Sequence, residues 1–299
     1  MKASEYNSQL LNNIKNRDDI KINKYKLNYK KGNYEFLRIS SNYIKKKDKI
    51  FLIRAGIHGE EIAGPLSILQ HINEIIDYAH ENNIKLIIYP LGNPSGFENN
   101  LRYNIDNDKG EDGNNDFIRF ELKNGEIVAD LGEKNDYRRF YWAIDKKAKL
   151  PKETELMQKI LKKDPIRQVK ACLDLHQDYI TPKIKEAAYH YSFGNLKVYD
   201  KIIENIEKLV PVLKNENIGA GFSVEIDNKG KISNTIPEGE LIKSDNKGFI
   251  VRYDGSLPTL LYLIGTEYCV TVETTGKTSL DKACKVNLIW IKGIIDILR

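Results

Sequence analysis

The chain has 299 residues, of which 41% are hydrophobic and 30% charged, and its formal net charge is +5. This length and composition are ordinary for a globular protein of one large α/β domain or two smaller ones. The positive charge is small and spread over lysine-rich stretches, which argues against a nucleic-acid groove, and no run approaches the roughly 20 apolar residues of a membrane span.

The cysteines and the N-terminus predict the cellular compartment. Cys172, Cys269 and Cys284 have no CxxC spacing, which argues against a disulfide framework and against a thiolate zinc site. The N-terminal residues lack the apolar segment of a secretory signal. We therefore expect a cytoplasmic protein that binds neither membranes nor nucleic acids.

Secondary structure follows from hydrophobic periodicity. Residues 20–47 alternate lysine with tyrosine, leucine and isoleucine, as edge strands of a sheet do. Buried strands are predicted for the short, apolar, β-branched segments 49–54, 85–91, 169–175 and 268–273. Helical spacing predicts helices over 62–76, 153–163, 197–213 and 281–298. The glycine-punctuated stretches predict a long loop with one hairpin over 105–135 and hairpins near the site over 219–251.

Strands that alternate with helices imply a largely parallel sheet that is covered on both faces. Each of the four predicted buried strands leads into polar residues that are capable of chemistry. In chain order these residues are His58 and Glu61, Asn93 and Arg102, His176, and Glu273. Because ligands of open α/β sheets bind outside the carboxyl ends of the strands, the sequence predicts that these side chains meet in one cluster.

Three members of this cluster have the composition of an open zinc site. Two imidazoles and one carboxylate, with a fourth position left for water or substrate, form a zinc site used for hydrolysis. His58, Glu61 and His176 supply them, and the i+3 spacing favours Glu61 over its neighbour Glu60. The alternative is a loop histidine beside a carboxylate at a helix N-terminus. The additional presence of Glu273 favours the metal site, and we expect one Zn²⁺ ion.

Two further carboxylates accompany these ligands. Asp174 lies two residues before His176 and therefore on the same face of the strand. It either orients the ligand, grips substrate or forms an ordinary hydrogen bond at a strand end, and the sequence leaves these alternatives open. Glu273 closes an apolar strand, where a carboxylate near a metal can accept a proton from water. A solvated residue at the start of a turn is the alternative for Glu273.

Arginine and tyrosine side chains are the candidates for substrate binding. Arg102, Arg138 and Arg139 are the cations placed to meet an anionic substrate or an oxyanion, since arginine binds carboxylates with two hydrogen bonds. A basic surface pair is an equally good interpretation of Arg138 and Arg139. Tyr253 precedes a glycine-containing turn that could place its phenol over the site.

Together these motifs resemble the zinc carboxypeptidases of the M14 family, over most of the chain from residue 50 to the end. The matching elements are the HxxE pair His58 and Glu61, the Asn93-Pro94 pair with Arg102, the pair Arg138 and Arg139, the strand-end His176, the Tyr253 loop and the strand-end Glu273. The resemblance implies one catalytic domain over residues 1–299, with residues 1–47 as N-terminal edge strands. It also implies a mixed, mostly parallel sheet of about eight strands with helices on both faces.

The resemblance also implies a role for each residue. Glu273 would activate water and later protonate the leaving amine, and Arg102 would polarise the scissile carbonyl. One of Arg138 and Arg139 would bind the substrate carboxylate while Tyr253 closes over it. The family has asparagine where Arg138 stands here, which leaves Asn104 and Asn114 as alternative amide donors. Asn93 and Asn104 complete the predicted substrate-binding set.

Similarity to a sister group, aspartoacylase and succinylglutamate desuccinylase, is carried by Asp174-Leu-His176 and Val272-Glu-Thr. Those enzymes usually continue into a β-rich domain after the catalytic glutamate, whereas 26 residues follow Glu273 here. We therefore expect a zinc carboxypeptidase that acts on a short, plausibly cell-wall-derived peptide. An N-acyl amino-acid amidohydrolase is the second hypothesis, and an inactive binding protein with the same fold is the third.

Overall fold

A computed structural model of the chain describes residues 1–106, 113–133, 135–146, 149–180, 185–219, 225–226, 232–233 and 241–299. The α-helices in these residues are α1 Ala3–Asn13, α2 Ala63–Glu81, α3 Pro94–Asn99, α4 Lys152–Leu161, α5 Asp200–Glu207, α6 Leu257–Leu263 and α7 Leu280–Leu298. The first eight strands are β1 Ile20–Tyr29, β2 Gly32–Ser41, β3 Ile50–Ala55, β4 Lys85–Tyr89, β5 Ile118–Glu121, β6 Ile127–Val128, β7 Arg139–Trp142 and β8 Val169–Asp178. The later strands are β9 Ala188–Ser192, β10 Asn217–Gly219, β11 Glu225–Ile226, β12 Ile232–Ser233, β13 Leu241–Lys243, β14 Phe249–Ile250 and β15 Tyr268–Thr275.

An eight-stranded sheet in the order β1-β2-β4-β3-β8-β15-β9-β14 forms the centre of the fold. The four strands β4, β3, β8 and β15 are parallel to one another, so their carboxyl ends lie along one edge. β1 and β2 pair antiparallel at one side of the sheet, and β9 runs antiparallel to β15. This mixed sheet confirms the predicted α/β fold class.

Helices cover both faces of the sheet, as predicted. One hydrophobic core lies between the sheet and α1, α2, α5 and α7, and a second lies between the sheet and α4, α6 and β5. Successive residues of β3 alternate between the two cores: Phe51 and Ile53 belong to the first, whereas Ile50 and Leu52 belong to the second. Burial on both faces explains why this strand has a continuous apolar sequence.

The four buried strands and three of the four helices were predicted to within a few residues, except that α2 continues to Glu81 and β8 to Asp178. The predicted helix over 197–213 was too long, because α5 ends at Glu207. Pro211 has no N–H for a helix, and Val212 instead forms a bridge with Ala188. α1 was not predicted: residues 1–47 were expected to form edge strands, but Ala3–Asn13 is helical and packs into the core against the sheet.

The two glycine-rich stretches contain antiparallel strand pairs, as the predicted hairpins require. In 105–135 the strands β5 and β6 form the predicted hairpin, and β7, which was not predicted, joins them in a three-stranded antiparallel sheet. In 219–251 the structure describes the pairs β10–β13 and β11–β12 and strand β14. Residues 107–112, 134, 220–224, 227–231 and 234–240 of these stretches lie outside the described part of the chain. No helix within the described ranges is long and apolar enough to cross a membrane.

A buried ion pair joins β2 to the segment after α4. Arg38 Nη2 donates to Asp164 Oδ1 at 2.7 Å and Arg38 Nε donates to Asp164 Oδ2 at 3.1 Å. The Tyr89 hydroxyl also donates to Asp164 Oδ2, at 2.9 Å. The carboxylate of Asp164 is therefore satisfied on both oxygens although it is largely out of water.

Replacing Arg38 with methionine should lower the free energy of unfolding by about 3–5 kcal/mol, because Asp164 would be left buried without its counter-charge. Urea unfolding followed by circular dichroism measures the change. The control is Lys285→Met, which removes an exposed i,i+4 pair with Asp281 and should cost about 0.5 kcal/mol or less. Equal effects of the two substitutions would contradict the assignment of a buried pair.

Candidate metal centre

The loop that carries the first two predicted ligands is held by close backbone packing. Gly56 turns the chain after β3 with φ +65°, a conformation that favours glycine. A Cβ on Gly59 would lie 2.1 Å from the carbonyl carbon of Gly96 in α3, so no larger residue fits there without movement. Asn93 caps α3 by accepting a hydrogen bond from the backbone N–H of Gly96 at 2.8 Å. The loop is therefore seated on the start of α3.

The three predicted ligands are brought together and are buried. Glu61 Oε1 lies 2.8 Å from His58 Nδ1, and Glu61 Oε2 lies 2.8 Å from His176 Nδ1. The two Nδ1 atoms are 3.2 Å apart. Donors about 2.0 Å from a tetrahedral ion would be separated by roughly 3.3 Å, so these residues fit a divalent metal with little movement. The donor set and its geometry indicate a metal site.

The carboxylate of Glu61 and the imidazole of His176 shift each other's pKa toward the charged form. Burial alone would raise the pKa of Glu61, but His58 and His176 hold it well below its usual range. Burial would lower the pKa of His176, but the carboxylates of Asp174 and Glu61 raise it well above its usual value. A bound cation would replace this mutual stabilisation with direct coordination.

The far side of the His176 ring faces the carboxylate of Asp174, which in turn is bound by Arg54. Asp174 Oδ2 lies 3.1 Å from His176 Nε2, on the side of the ring opposite to the metal site. Asp174 also forms two hydrogen bonds with Arg54, which is its direct neighbour in the register of β3 and β8. Of the alternatives for Asp174, the structure favours the one that orients the ligand. Arg54 was missed, although an arginine inside the apolar sequence of β3 was a visible signal.

Glu273 lies beside the ligands at the end of β15. It is opposite His176 in the register of β15 and β8, and its Oε1 is 4.0 Å from His176 Nδ1. Its Oε2 is buried and has no hydrogen-bond partner among the residues that the structure describes. Burial raises the pKa of Glu273, and the nearby carboxylates of Glu61 and Asp178 add to this effect although His176 opposes it. Asp178, which accepts a hydrogen bond from Tyr189 at 2.8 Å, was also missed.

Arg102 reaches the same cluster from the loop after α3. Its Nη1 donates to Glu61 Oε1 at 2.9 Å and to Glu60 Oε1 at 3.1 Å. Burial raises the pKa of Glu60, and the adjacent Glu61 raises it further. The structure therefore places a guanidinium group in contact with a predicted metal ligand, and it places both residues of the Glu60–Glu61 pair at the site.

Arg138 and Arg139 form ion pairs with Glu121. Both pair with Glu121 in the three-stranded sheet, with Arg139 Nε 2.8 Å from Oε2 and Arg138 Nη1 3.3 Å from Oε1. Both arginine side chains are more than half exposed. Hydrogen bonds from Arg139 and Tyr141 lower the pKa of Glu121 to about 2. These contacts do not join the two arginines to the three ligands, and their carboxylate-binding role remains a prediction.

The other predicted substrate-binding residues also have structural partners. Asn93 caps α3, and its amide nitrogen lies 3.3 Å from the carbonyl oxygen of Arg102. Asn104 donates to both carboxylate oxygens of the buried Glu153 at 3.0 Å. The Tyr253 ring packs against Phe193 with a centroid distance of 5.2 Å. Roles of these three residues in binding substrate also remain predictions.

Solved structures share this fold. A candidate metallopeptidase from Shewanella baltica is 20% identical with a TM-score of 0.62, and the match covers 99% of this chain and 90% of that one. A metallo-carboxypeptidase from Pseudomonas aeruginosa is 12% identical with a TM-score of 0.56 over 99% and 69% of the two chains. Bovine thrombin-activatable fibrinolysis inhibitor is 14% identical with a TM-score of 0.55 over 100% and 97%. These similarities show that the chain shares the fold of the three structures.

The family follows from the sequence match. The model of the succinylglutamate desuccinylase/aspartoacylase catalytic domain matches residues 47–224, which is more than half of the chain and includes His58, Glu61 and His176. The chain belongs to this family. None of the curated proteins matches it. The family and the shared fold confirm the predicted resemblance to M14 carboxypeptidases and to the aspartoacylase group.

We predict that the metal-free protein takes up one divalent ion per chain. Glu61→Gln or His176→Ala removes a ligand and should weaken metal binding by more than the roughly 10–100-fold that is typical of losing a residue that only contacts a ligand. Elemental analysis and competition with a chromophoric chelator measure both. His71→Ala is the matched control, because His71 and Glu74 form the same i,i+3 pair on an exposed helix face. Equal binding by the His176 and His71 variants would contradict the metal site.

Proposed function

We propose that the protein is a zinc-dependent metallocarboxypeptidase, a single catalytic domain over residues 1–299 that hydrolyses the C-terminal amide bond of a short peptide. The substrate class that we propose is a peptide derived from the cell wall. The observation that carries the proposal is the buried group of His58, Glu61 and His176 with Glu273 and Arg102 in contact with it. Membership of a hydrolase family and the shared fold of the Pseudomonas metallo-carboxypeptidase support it.

Zinc is the proposed ion because two imidazole nitrogens and one carboxylate, with a further position open, are a usual ligand set of catalytic zinc. Bound there, the ion would supply Lewis acidity and lower the pKa of water to near neutrality. The protein's own contribution is to keep the three donors preorganised. Hydrogen-bonding distances among His58, Glu61 and His176 support that role.

Glu273 is the proposed proton carrier. Its carboxylate stands next to the ligands, is largely shielded from solvent and has an unpartnered Oε2 among the described residues. It would take a proton from the attacking water and then deliver that proton to the nitrogen of the leaving amine. A positioned general base or acid contributes about 10²–10⁴-fold to the rate.

Arg102 is the proposed electrostatic partner of the scissile carbonyl. A guanidinium group has several N–H donors, and one nitrogen of Arg102 already contacts Glu60 and Glu61. Its fixed positive charge at the rim of the site would stabilise the negative charge that develops on the carbonyl oxygen. Donors that are in place before the reaction avoid the cost of reorganising solvent.

The second candidate function is an N-acyl amino-acid amidohydrolase, and the match to the desuccinylase/aspartoacylase catalytic domain favours it. Both reactions release an amino acid with a free carboxylate, and they differ in the acyl side of the bond, which is a peptide in one and a short acid in the other. The same His58, Glu61, His176 and Glu273 would serve both. An inactive binding protein with this fold is the third candidate.

Incubating the zinc-loaded protein with peptides and with N-acyl amino acids, and identifying products by mass, separates these candidates. We expect loss of the C-terminal residue, and we expect Glu273→Gln to lower kcat by about 10²–10⁴-fold while metal content is retained. The control is Glu267→Gln, an exposed carboxylate beside the opposite end of the same strand.

Each alternative result has a defined meaning. Release of acyl groups alone would favour the amidohydrolase and contradict the peptidase. Full activity of Glu273→Gln would remove Glu273 from the proposed mechanism. A protein that holds no metal and turns over neither class of substrate would leave the inactive binding protein.

A further inference from the structure

Arg54 is an arginine with no solvent exposure at the end of a strand that is otherwise apolar. Its Nε donates to Asp174 Oδ1 at 2.8 Å, and its Nη2 donates to Asp174 Oδ2. The two residues are directly opposite in the register of β3 and β8. Because both oxygens are engaged by one planar fork, the carboxylate of Asp174 cannot rotate without breaking two charged hydrogen bonds.

The carboxylate that Arg54 holds is the one behind a metal ligand. Asp174 and His176 are two residues apart in β8 and project from the same face. Asp174 Oδ2 lies 3.1 Å from His176 Nε2, while His176 Nδ1 faces Glu61 Oε2 at 2.8 Å. The contact between Asp174 and His176 Nε2 is an ion pair whose angle departs from that of a hydrogen bond. A carboxylate at the far nitrogen of a histidine ring favours the tautomer whose near nitrogen keeps its lone pair for a metal.

Arg54 also contacts the segment that covers this part of the sheet. Its Nη2 donates to Asn114 Oδ1 at 2.5 Å, and its guanidinium lies 4.8 Å from the centre of the Phe117 ring. The arginine is thus fixed from two directions, by Asp174 within the sheet and by residues 114 and 117 above it. Because Arg54 is fixed on both sides, it also fixes the position of the Asp174 carboxylate.

We propose that Arg54 is a positioning residue of the metal centre. It fixes the carboxylate of Asp174, and through Asp174 it keeps the His176 ring in the orientation and tautomer that present Nδ1 to a metal ion. This inference rests on the metal site of the proposed function but not on the substrate, and it predicts an effect on metal affinity that is separate from turnover.

The test compares the Zn²⁺ affinity of folded variants by competition with a chromophoric chelator. Arg54→Met should bind Zn²⁺ about 10–100-fold more weakly than the wild type, as expected when an outer contact of a ligand is lost. Arg54→Lys should recover part of the loss, because an ammonium group keeps the charge but cannot engage both oxygens in one plane. The absorption spectrum of bound Co²⁺ should change in Arg54→Met as a second sign of altered coordination.

Arg38→Met is the matched control. Arg38 holds Asp164 with the same two-hydrogen-bond geometry in the same sheet, but that pair contacts Tyr89 instead of a predicted ligand. This variant should be destabilised and should keep the wild-type Zn²⁺ affinity. If it loses as much affinity as Arg54→Met, the effect is a general consequence of destabilisation and the proposal is overturned.

A double variant tests the route through Asp174. Asp174→Asn should weaken Zn²⁺ binding, and adding Arg54→Met to it should cause little further loss because both act on His176 through one contact. Losses that multiply would overturn this route.

If Arg54→Met does not fold, the Zn²⁺ affinity of Arg54→Lys is the deciding measurement, and wild-type affinity in that variant overturns the proposal. A wild-type protein that binds no metal would refute the proposed function itself, whereas equal binding by wild type and Arg54→Met would refute only this inference.

Discussion

The site depends on a buried carboxylate, Glu61, that lies between the two imidazoles of His58 and His176. Burying several charged and polar side chains so close together costs free energy unless each of them is paired. Here the cost is offset because the donors face a common point where a cation can neutralise them. The parallel strands make this possible, since they deliver residues that are distant in sequence to one edge of the sheet.

The part of the fold that positions these donors could be predicted from the sequence because burial leaves a direct pattern. β3 is apolar except for Arg54 because both of its faces are covered, and α2 and α7 show helical spacing because one side of each faces the core. The end of α5 was missed although Pro211 is a helix-ending signal, because Val212 has the same apolar character in a helix as in the bridge it forms with Ala188. The hairpin of β5 and β6 was predicted, but the addition of β7 was missed because pairing between separate segments depends on tertiary contacts.

In the site, too, features that follow from the burial pattern could be predicted, and features that depend on the pairing of distant segments could not. His58, Glu61, His176 and Glu273 could be recognised because each lies at or just beyond the carboxyl end of a strand that could be located. Orientation of His176 by Asp174 was one of the predicted alternatives, but the contact of Asp174 with Arg54 was not predicted, because it depends on the register between two strands that are more than a hundred residues apart. The pairing of Arg138 and Arg139 with Glu121 depends on a sheet that was not anticipated, so the sequence could not distinguish a substrate-binding pair from a surface pair.

The central claim is that one metal ion is held by two imidazoles and one carboxylate. X-ray absorption at the zinc edge of the loaded protein tests it most directly, because the spectrum reports the type and distance of the coordinating atoms. The account predicts nitrogen and oxygen at about 2.0–2.2 Å with the multiple scattering of two imidazole rings. Sulfur at about 2.3 Å, or a shell of oxygen without imidazole scattering, would contradict it.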